Sequence, residues 1–349
     1  MNRLKTMDRS VRRNFLTYAI VIVAYVLLQS LSAMRGFSPT LRGQLVPICA
    51  YVVMALSLNL TVGILGELSL GHAGFMSVGA FSGAVAAAAL QSAVPSPGVR
   101  LAIALVIGAL MAGIVGTVIS VPVLRLNGDY LAIVTLAFGQ IIKSLIENLY
   151  VGVDGAGLHF SFLKPNITLA QGGRMILNGP MGIPNISKIS TFLAGFILIM
   201  VTLIVIFNLV RSRAGRAIMA LRDNRIAAES VGINVTKYKM MAFVTSAALA
   251  GAAGALFALG QNTIVAAKFD FNTSILILVF VVLGGLGNML GSIIAAAALT
   301  ILPEALRGFA DYRMLIYAIV LILVMLGTNS PQLKALFARL LPGKKREEV

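Results

Sequence analysis

The chain has 349 residues, of which 58% are hydrophobic and 11% are charged, and its mean hydropathy is +0.94. This composition excludes a soluble globular domain, because too few polar side chains are present to cover the apolar surface. The formal net charge of +16 would suggest nucleic acid in a soluble protein. Here the basic residues cluster at the ends of apolar runs, which predicts contact with anionic membrane lipid and no nucleic-acid partner.

The chain begins with a basic tail, residues 1–14, followed by an apolar run over residues 15–33. A basic start before an apolar run also resembles a secretory signal peptide. This run, however, is as long as a full membrane span, and further runs follow it. We therefore predict a retained helix with its N-terminus in the cytoplasm. Five more apolar runs precede residue 210 and make the number of crossings even: residues 43–66, 73–94, 101–124, 130–150 and 189–209.

The first break, as residues 59–79 are called here, interrupts the apolar pattern with five glycines in the sequence NLTVGILGELSLGHAGFMSVG. A glycine-interrupted apolar segment predicts a broken helix that lines a pathway. The alternative is close packing of helices through small residues, and both can hold at once. We predict a role in the translocation path or its gating for Gly66, Gly71, His72 and Gly74. For His72 we favour a satisfied polar group over a pathway residue.

A polar stretch over residues 151–188, rich in glycine and proline, follows the fifth apolar run. The parity of the crossings places it outside the cytoplasm. A connection of this length is too long to be a plain loop, so we predict that it has a function or is partly disordered.

Residues 211–239 form the only long polar segment in the C-terminal half, and are called the coupling segment below. They carry seven basic side chains against two acidic ones, between two uncharged runs. A basic loop between membrane-length runs belongs in the cytoplasm. The composition predicts one or two short helices that end at Gly232, with Asn234 or Thr236 as the cap of the next helix. The alternative is a solvated loop whose arginines only set the topology.

The last part of the chain contains three apolar segments, residues 240–259, 271–303 and 314–327. Three crossings would place the basic tail, residues 330–349, outside the cytoplasm. The middle segment is too long for one span, and the sequence GGLGN at residues 284–288, called the second break, is expected to interrupt its helix. Two half-helices there restore an even number of crossings and a cytoplasmic C-terminus. The matching candidates for the path or its gating are Gly284, Gly285 and Gly287.

These elements predict an all-α polytopic membrane protein with eight to ten transmembrane helices over residues 15–329, counting the glycine-broken segments. The two histidines, His72 and His159, and the single cysteine, Cys49, form no metal-ligand pattern. The sequence contains no Walker A motif for ATP and no nucleophile elbow for hydrolysis. We therefore predict a chain that is not an enzyme and that holds no metal or cofactor of its own.

Three long stretches carry a family resemblance. LRLNGDYLAIVTLAFGQII at residues 124–142 fits the pattern R-L-x-G-x-Y-x-A-I-V-T-L-x-F, and LSLGHAGFMSVGAF at residues 68–81 fits L-S-L-G-H-x-x-F-x-x-x-G-A. VLGGLGNMLGSIIAAAALTILPEALR at residues 282–307 is a glycine-break segment that ends in L-P-E and a short tail. In these patterns the chain resembles the LivM-like permeases of branched-chain amino acid ABC transporters. The resemblance covers residues 50–332 and implies an ABC importer permease fold.

The coupling segment shares in this resemblance. Permeases of ABC importers carry an E-A-A-x-x-x-G motif that docks on the ATPase, and IAAESVG at residues 226–232 is similar to it. The leading glutamate of the motif is Ile226 here, so Glu229 and Asp223 become the candidates for its charge. The residues to which the resemblance gives the coupling role are Arg222, Asp223, Ile226, Ala227, Ala228, Glu229 and Gly232.

The resemblance implies the rest of the transporter. The partners would be a sister permease in a heterodimer, two cytoplasmic ATPases that hold ATP and Mg, and an extracytoplasmic solute-binding protein, all at a bacterial plasma (inner) membrane. The solute would be a branched-chain or related neutral amino acid, with urea and short amides as the alternative. A stand-alone secondary transporter or channel is a different class of protein. Against it stand the coupling-like segment and the scarcity of buried carboxylates for ion coupling.

Overall fold

The structure is a computed structural model. It describes residues 9–33, 39–91, 93–123, 126, 128–154, 157–163 and 173–306, with residues 315, 318, 319 and 322. Most of the predicted N-terminal tail, most of the last predicted apolar segment and the whole C-terminal tail therefore lie outside the described residues. Contacts between residues divide the chain into two units, Met1–Ala297 and Ala298–Val349. The side-chain and backbone contacts described below lie in the first unit.

The described residues form eleven α-helices and three strands. The helices are α1 (Arg9–Ala33), α2 (Pro39–Asn59), α3 (His72–Ala89), α4 (Pro97–Val123), α5 (Asp129–Glu147), α6 (Phe192–Arg211), α7 (Arg213–Asp223), α8 (Arg225–Ser230), α9 (Val235–Ala258), α10 (Phe271–Gly284) and α11 (Met289–Ala305). The strands are β1 (Leu149–Asp154), β2 (Gly157–Phe162) and β3 (Arg174–Asn178). A π-helical turn, Leu60–Leu65, continues α2.

The helices confirm the polytopic α-helical fold. Within the described part of the chain, seven helices are long and apolar enough to cross a membrane, and two shorter apolar helices, Phe15–Leu31 and Met289–Glu304, accompany them. The seven are Thr40–Leu65, His72–Ala89, Pro97–Val123, Tyr130–Glu147, Phe192–Arg211, Val235–Ala258 and Ala266–Gly284. Each predicted apolar run before residue 210 corresponds to one helix, because uninterrupted apolar residues can satisfy their backbone in lipid only as helix.

Small residues hold the centre of the fold together. Helix α9 packs against α2, α3 and α4. A Cβ at Gly79 of α3 would lie 2.1 Å from the Gly251 carbonyl oxygen, and a Cβ at Gly251 would lie 2.4 Å from the Gly108 carbonyl oxygen. Such backbone-to-backbone contact is how membrane helices gain van der Waals packing without a hydrophobic driving force.

The stretch after α5 contains a sheet that the sequence did not predict. Strand β1 lies between β2 and β3 and pairs antiparallel with both. The chain then runs from Gly182 to α6 beside the residues that follow α9. Ile183 pairs with Ile264, and the Ile189 amide donates to the Leu259 carbonyl oxygen at 3.1 Å. The predicted polar loop is thus partly an ordered layer over one end of the helices.

Candidate functional site

The coupling segment folds as two short helices with polar caps, as its composition predicted. Ser212 caps α7, Asn224 caps α8 and Asn234 caps α9, and each side chain accepts a hydrogen bond from a backbone amide three residues later. These caps satisfy amides that have no partner within the helix. Gly232 follows α8 with φ of +86°, a left-handed conformation that favours glycine. The predicted stop at Gly232 and the predicted cap at Asn234 are both confirmed.

The two helices bury one face and expose the other. Ala228 is buried with Leu221 and Val235 in a small apolar cluster. On the opposite side, Ile226 is 81% exposed and Val231 is 75% exposed. Among the coupling candidates only Ala228 is buried; the exposed ones are Arg222, Asp223, Ile226, Ala227, Glu229 and Gly232. The small side chain of Ala228 therefore serves the internal packing of the segment and does not form part of its outer surface.

The first break contacts the coupling segment directly. After the π-helical turn, Gly66 adopts a left-handed conformation with φ of +81°. Arg222 of α7 donates from Nη1 to the Gly63 carbonyl oxygen at 3.1 Å, and it also binds its neighbour Asp223 at 3.0 Å. A Cβ at Gly66 would lie 2.6 Å from Cγ of Arg222. The absence of a side chain at Gly66 is what allows Arg222 to cross the break.

A second contact joins the same two segments. Lys239, in the first helical turns of α9, forms an ion pair and hydrogen bond with Glu67, which follows Gly66. Their side chains are only 4% and 14% exposed. A buried charge of this kind is tolerated because its partner compensates the loss of hydration.

The second break divides one apolar segment into α10 and α11, as predicted. Gly285 and Gly287 have φ of +91° and +79°, conformations that a side chain would strain. At the crossing of the two helices, a Cβ at Gly284 would lie 2.4 Å from the Ser292 amide nitrogen. The glycines therefore allow both the turn and the close approach of α10 to α11.

Asn59 connects the two breaks. Its Oδ1 accepts from the Gly287 amide at 2.8 Å, and its Nδ2 donates to Ser292 Oγ at 2.9 Å. Its side chain is completely buried. Gly63 lies in the same contact, since a Cβ there would be 2.2 Å from the Gly287 nitrogen. A polar side chain in an apolar run is thus satisfied by the irregular backbone of a distant segment.

The start of α3 is packed, not open. A Cβ at Gly71 would lie 2.0 Å from the Thr135 carbonyl oxygen, and Gly74 faces Gly139 of α5 in the same way at 3.1 Å. His72 is buried, and its Nε2 lies 2.7 Å from Ser57 Oγ. His72 is thus a buried polar group with a hydrogen-bond partner, which is the interpretation that we favoured from the sequence.

The structure therefore brings Gly66, Gly284 and Gly287 into one connected region with the coupling segment. Gly71 and Gly74 lie apart, in the contact between α3 and α5, and His72 lies beside Ser57 of α2. Sequence reasoning missed Asn59 and Ser292, whose only signal is a polar residue inside a long apolar segment. Among the described residues, no group of three or more His, Cys, Asp or Glu side chains could hold a metal ion.

Comparison of the sequence with known proteins identifies its family. The family model described as "Branched-chain amino acid transport system / permease component" matches residues 41–325. The high-affinity branched-chain amino acid transport permease LivM of Escherichia coli is 36% identical over 81% of this chain and 69% of its own length. LivM of Salmonella typhimurium is 35% identical over the same shares.

More distant relatives differ in their named solute. The nucleoside ABC transporter permease NupC of Lactococcus lactis is 27% identical over 55% of this chain and 59% of its own length. No solved structure matches the chain. Because the family model spans most of the sequence, and because LivM aligns with most of it, this chain belongs to the branched-chain amino acid transport permeases and is a membrane-spanning permease subunit of an ABC importer.

Proposed function

We propose that this chain moves branched-chain or related neutral amino acids across a bacterial plasma membrane as one of two permeases in an ATP-driven importer. Its partners are a sister permease, two cytoplasmic ATPases that bind ATP and Mg, and an extracytoplasmic solute-binding protein. ATP is hydrolysed on the partner subunits. The proposal is supported by family membership and by the solute named for the two LivM relatives.

One observation carries the mechanism: the coupling segment binds the first break through two polar contacts. Arg222 holds the Gly63 carbonyl oxygen from α7, and Lys239 holds Glu67 from the start of α9. A displacement of α7 and α8 by a partner would therefore pull directly on the backbone where α2 is interrupted. Asn59 would carry the same displacement to the second break at Gly287.

The outer surface of α8 is the proposed docking surface for the ATPase. It presents Ile226 and Val231, which are both more than 70% exposed, beside the exposed Ala227. Large apolar side chains that protrude singly are common, but one on a short helix and a second directly after its end, within a basic segment, suit a partner groove. Ile226 in place of the family's leading glutamate makes this contact apolar, and Glu229 remains as an exposed acidic group beside it.

The proposed orientation follows the charges. The basic coupling segment faces the cytoplasm, together with both basic tails, and the sheet β1–β3 faces the outside. Lys and Arg residues near membrane spans resist translocation, which supports this assignment.

Other solutes and mechanisms are less well supported. Urea and short amides remain the alternative solutes within the family, and the relative named for nucleosides shows why family membership alone does not fix the solute. A stand-alone secondary transporter or channel is not favoured, because the family consists of permeases of ABC systems.

The test is uptake by the complete complex in proteoliposomes. ATP is supplied on the side of the membrane where the ATPases lie, and the loaded binding protein on the other side. Under these conditions we expect saturable leucine uptake and no urea uptake. Arg222→Ala should assemble yet lose most of this uptake, whereas Arg213→Ala, at an exposed arginine of the same helix, should retain it. Uptake of urea but not leucine would assign the alternative solute. Full leucine uptake by Arg222→Ala would remove the proposed route of coupling.

A further inference from the structure

A cavity of about 240 Å³ lies at the opposite end of the helices from the coupling segment. It is lined by the end of α3, the start of α4, strand β3 and the stretch around residues 183–189, and it is partly open to the outside. Leu259, immediately after α9, lines it. Because α9 has 24 residues, at 1.5 Å per residue about 35 Å separate this end from the coupling segment.

Arg100 is the unusual residue in this cavity. It is the fourth residue of α4 and only 7% exposed. Within the described part of the chain, its guanidinium has neither a hydrogen-bond acceptor nor an ion-pair partner. A cation that is largely covered and has no partner in the protein is costly, and it is therefore rare unless water or a ligand in the cavity satisfies it. An ionisable group at such a position in a membrane protein indicates a function.

A second arginine strengthens the positive charge. Arg174 of β3 lines the same cavity and is fixed there by hydrogen bonds from Nη2 to the Ala88 carbonyl oxygen at 3.0 Å and to Gln91 Oε1 at 2.8 Å. None of the described lining residues is acidic. The cavity therefore attracts an anion and has no group of its own to neutralise it.

The remaining walls are aliphatic. Ala84, Ala87, Ile183, Ile186 and Leu259 line the cavity. These walls are held in place, since the Ile186 amide donates to the Asn262 carbonyl oxygen at 2.9 Å and Ile183 pairs with Ile264. The volume is below the roughly 300–1,000 Å³ of pockets for drug-sized ligands. The site thus suits a compact molecule with one carboxylate and a short aliphatic group.

We propose that this cavity is a first binding site for the solute in the permease, with the solute carboxylate on Arg100 and its aliphatic side chain against the alanines and isoleucines. The inference rests on the proposed function, in which this end of the protein faces the outside. The solute would then be held at the end where it is delivered, before the coupling segment moves the two breaks.

The test uses the full chain in lipid nanodiscs. Because the chain contains no tryptophan, Met175→Trp places a single fluorescent reporter in the cavity lining. The probes are L-leucine, isovalerate, L-leucinamide and urea. We expect a saturable response to leucine and to isovalerate, which carry the carboxylate, and none to leucinamide or urea.

The variants separate a binding role from a structural one. Arg100→Gln should abolish the response, Arg100→Lys should keep a weaker one, and Lys188→Gln, which removes an exposed cation outside the cavity lining, should leave it unchanged. Since Arg100 is an unpaired buried charge, Arg100→Gln should not lower the thermal stability of the ligand-free chain. In the complete transporter, Arg100→Gln should raise the KM for leucine uptake by about tenfold or more, as expected for loss of a charged hydrogen bond.

Two results would overturn the inference. The first is an unchanged leucine response or KM in Arg100→Gln. The second is the absence of a response to both leucine and isovalerate in the otherwise unchanged chain, which would show that the cavity binds no small carboxylate. Absence of leucine uptake by the wild-type complex, with the reporter response intact, would contradict the proposed function and leave the binding site standing.

Discussion

Lys239 donates a hydrogen bond from Nζ to Oε1 of Glu67, across 172 residues of sequence. The pair joins the end of the coupling segment to the first break at a place where both side chains are largely buried. Coulomb attraction is strong there because little water is present to screen it. Removing one partner leaves the other as an uncompensated charge, so the pair can be dissected by mutation.

The first prediction concerns this ion pair. Glu67→Gln should lower the free energy of unfolding by about 3 kcal/mol, because it leaves Lys239 charged and buried. The double variant Glu67→Gln with Lys239→Met should recover at least half of that loss, since no charge remains unpaired. Denaturant titration in detergent micelles, analysed as a double-mutant cycle, measures the coupling. Additive losses in the double variant would mean that the two groups do not interact in the folded chain.

The second prediction concerns the surface of α8. Ala227→Glu places a charge on the proposed ATPase contact, so solute-stimulated ATP hydrolysis by the reconstituted complex should fall at least about tenfold while the permease stays folded. Thr236→Glu, also exposed but in the first turn of α9, should leave hydrolysis unchanged. Full stimulation in Ala227→Glu would leave the coupling segment as a topological anchor only.

The buried neighbour of Ala227 serves as the contrast. Ala228 packs against Leu221 and Val235, so Ala228→Glu should destabilise the segment itself by burying an unpaired carboxylate. Its melting temperature should fall, whereas that of Ala227→Glu should not. Equal melting temperatures would show that Ala228 does not pack internally.

The sequence was informative wherever one local rule decided the outcome. Apolar runs of membrane length became helices, and the glycines at residues 284–288 separated α10 from α11. Asn234 capped α9 because its side chain is the right length to accept from an amide three residues on. These features depend on residues close together in the chain, so their pattern can be read directly.

The remaining features depend on distant residues. Asn59 looks like an isolated polar residue until Gly287, 228 residues later, supplies its donor. The sheet escaped prediction because its strands are of six, six and five residues with glycine among them, and short strands have little stability of their own. Arg100 stands just before an apolar run, where a cation normally reaches the membrane surface. Only the fold shows that it is largely buried and lines a cavity.

The third prediction tests the crossing of Arg222 over the first break. Gly66→Ala would place a Cβ 2.6 Å from Cγ of Arg222 and strain the backbone at φ of +81°, at a cost of about 1 kcal/mol. We expect Arg222 to leave the Gly63 carbonyl oxygen and ATP-driven leucine uptake to fall. Gly43→Ala is the matched control, since a Cβ there meets nothing within 4 Å. Equal uptake by both variants would show that this contact is not used.

The fourth prediction concerns topology. With Cys49→Ala as background, cysteines at Lys5 and Lys344 should not react with an impermeant thiol reagent added outside intact cells, because both tails are proposed to be cytoplasmic. Phe160→Cys, on the exposed side of β2, should react and serves as the positive control. Reaction of Lys344→Cys with Lys5→Cys protected would mean an odd number of crossings after the coupling segment.

The last prediction concerns Asn59, which holds the two breaks together. Asn59→Leu keeps a similar volume but removes the acceptor for the Gly287 amide and the donor to Ser292. The cost should be about 2 kcal/mol of stability, because the Gly287 amide loses its partner. Leucine uptake should fall by more than the loss of folded protein accounts for, because the coupling segment would then move the first break without the second.

Ser292→Ala separates these two effects. It removes the hydrogen bond from Asn59 Nδ2 and the one that Ser292 Oγ donates to the Asn288 carbonyl oxygen at 3.2 Å, and it leaves the bond from the Gly287 amide to Asn59 Oδ1 in place. It should therefore cost about 1 kcal/mol and retain most of the ATP-driven uptake. ATP hydrolysis without uptake in Asn59→Leu, with both preserved in Ser292→Ala, is the expected pattern. If the two variants lose uptake in proportion to their loss of stability, Asn59 only supports the fold, and the second break moves independently of the first.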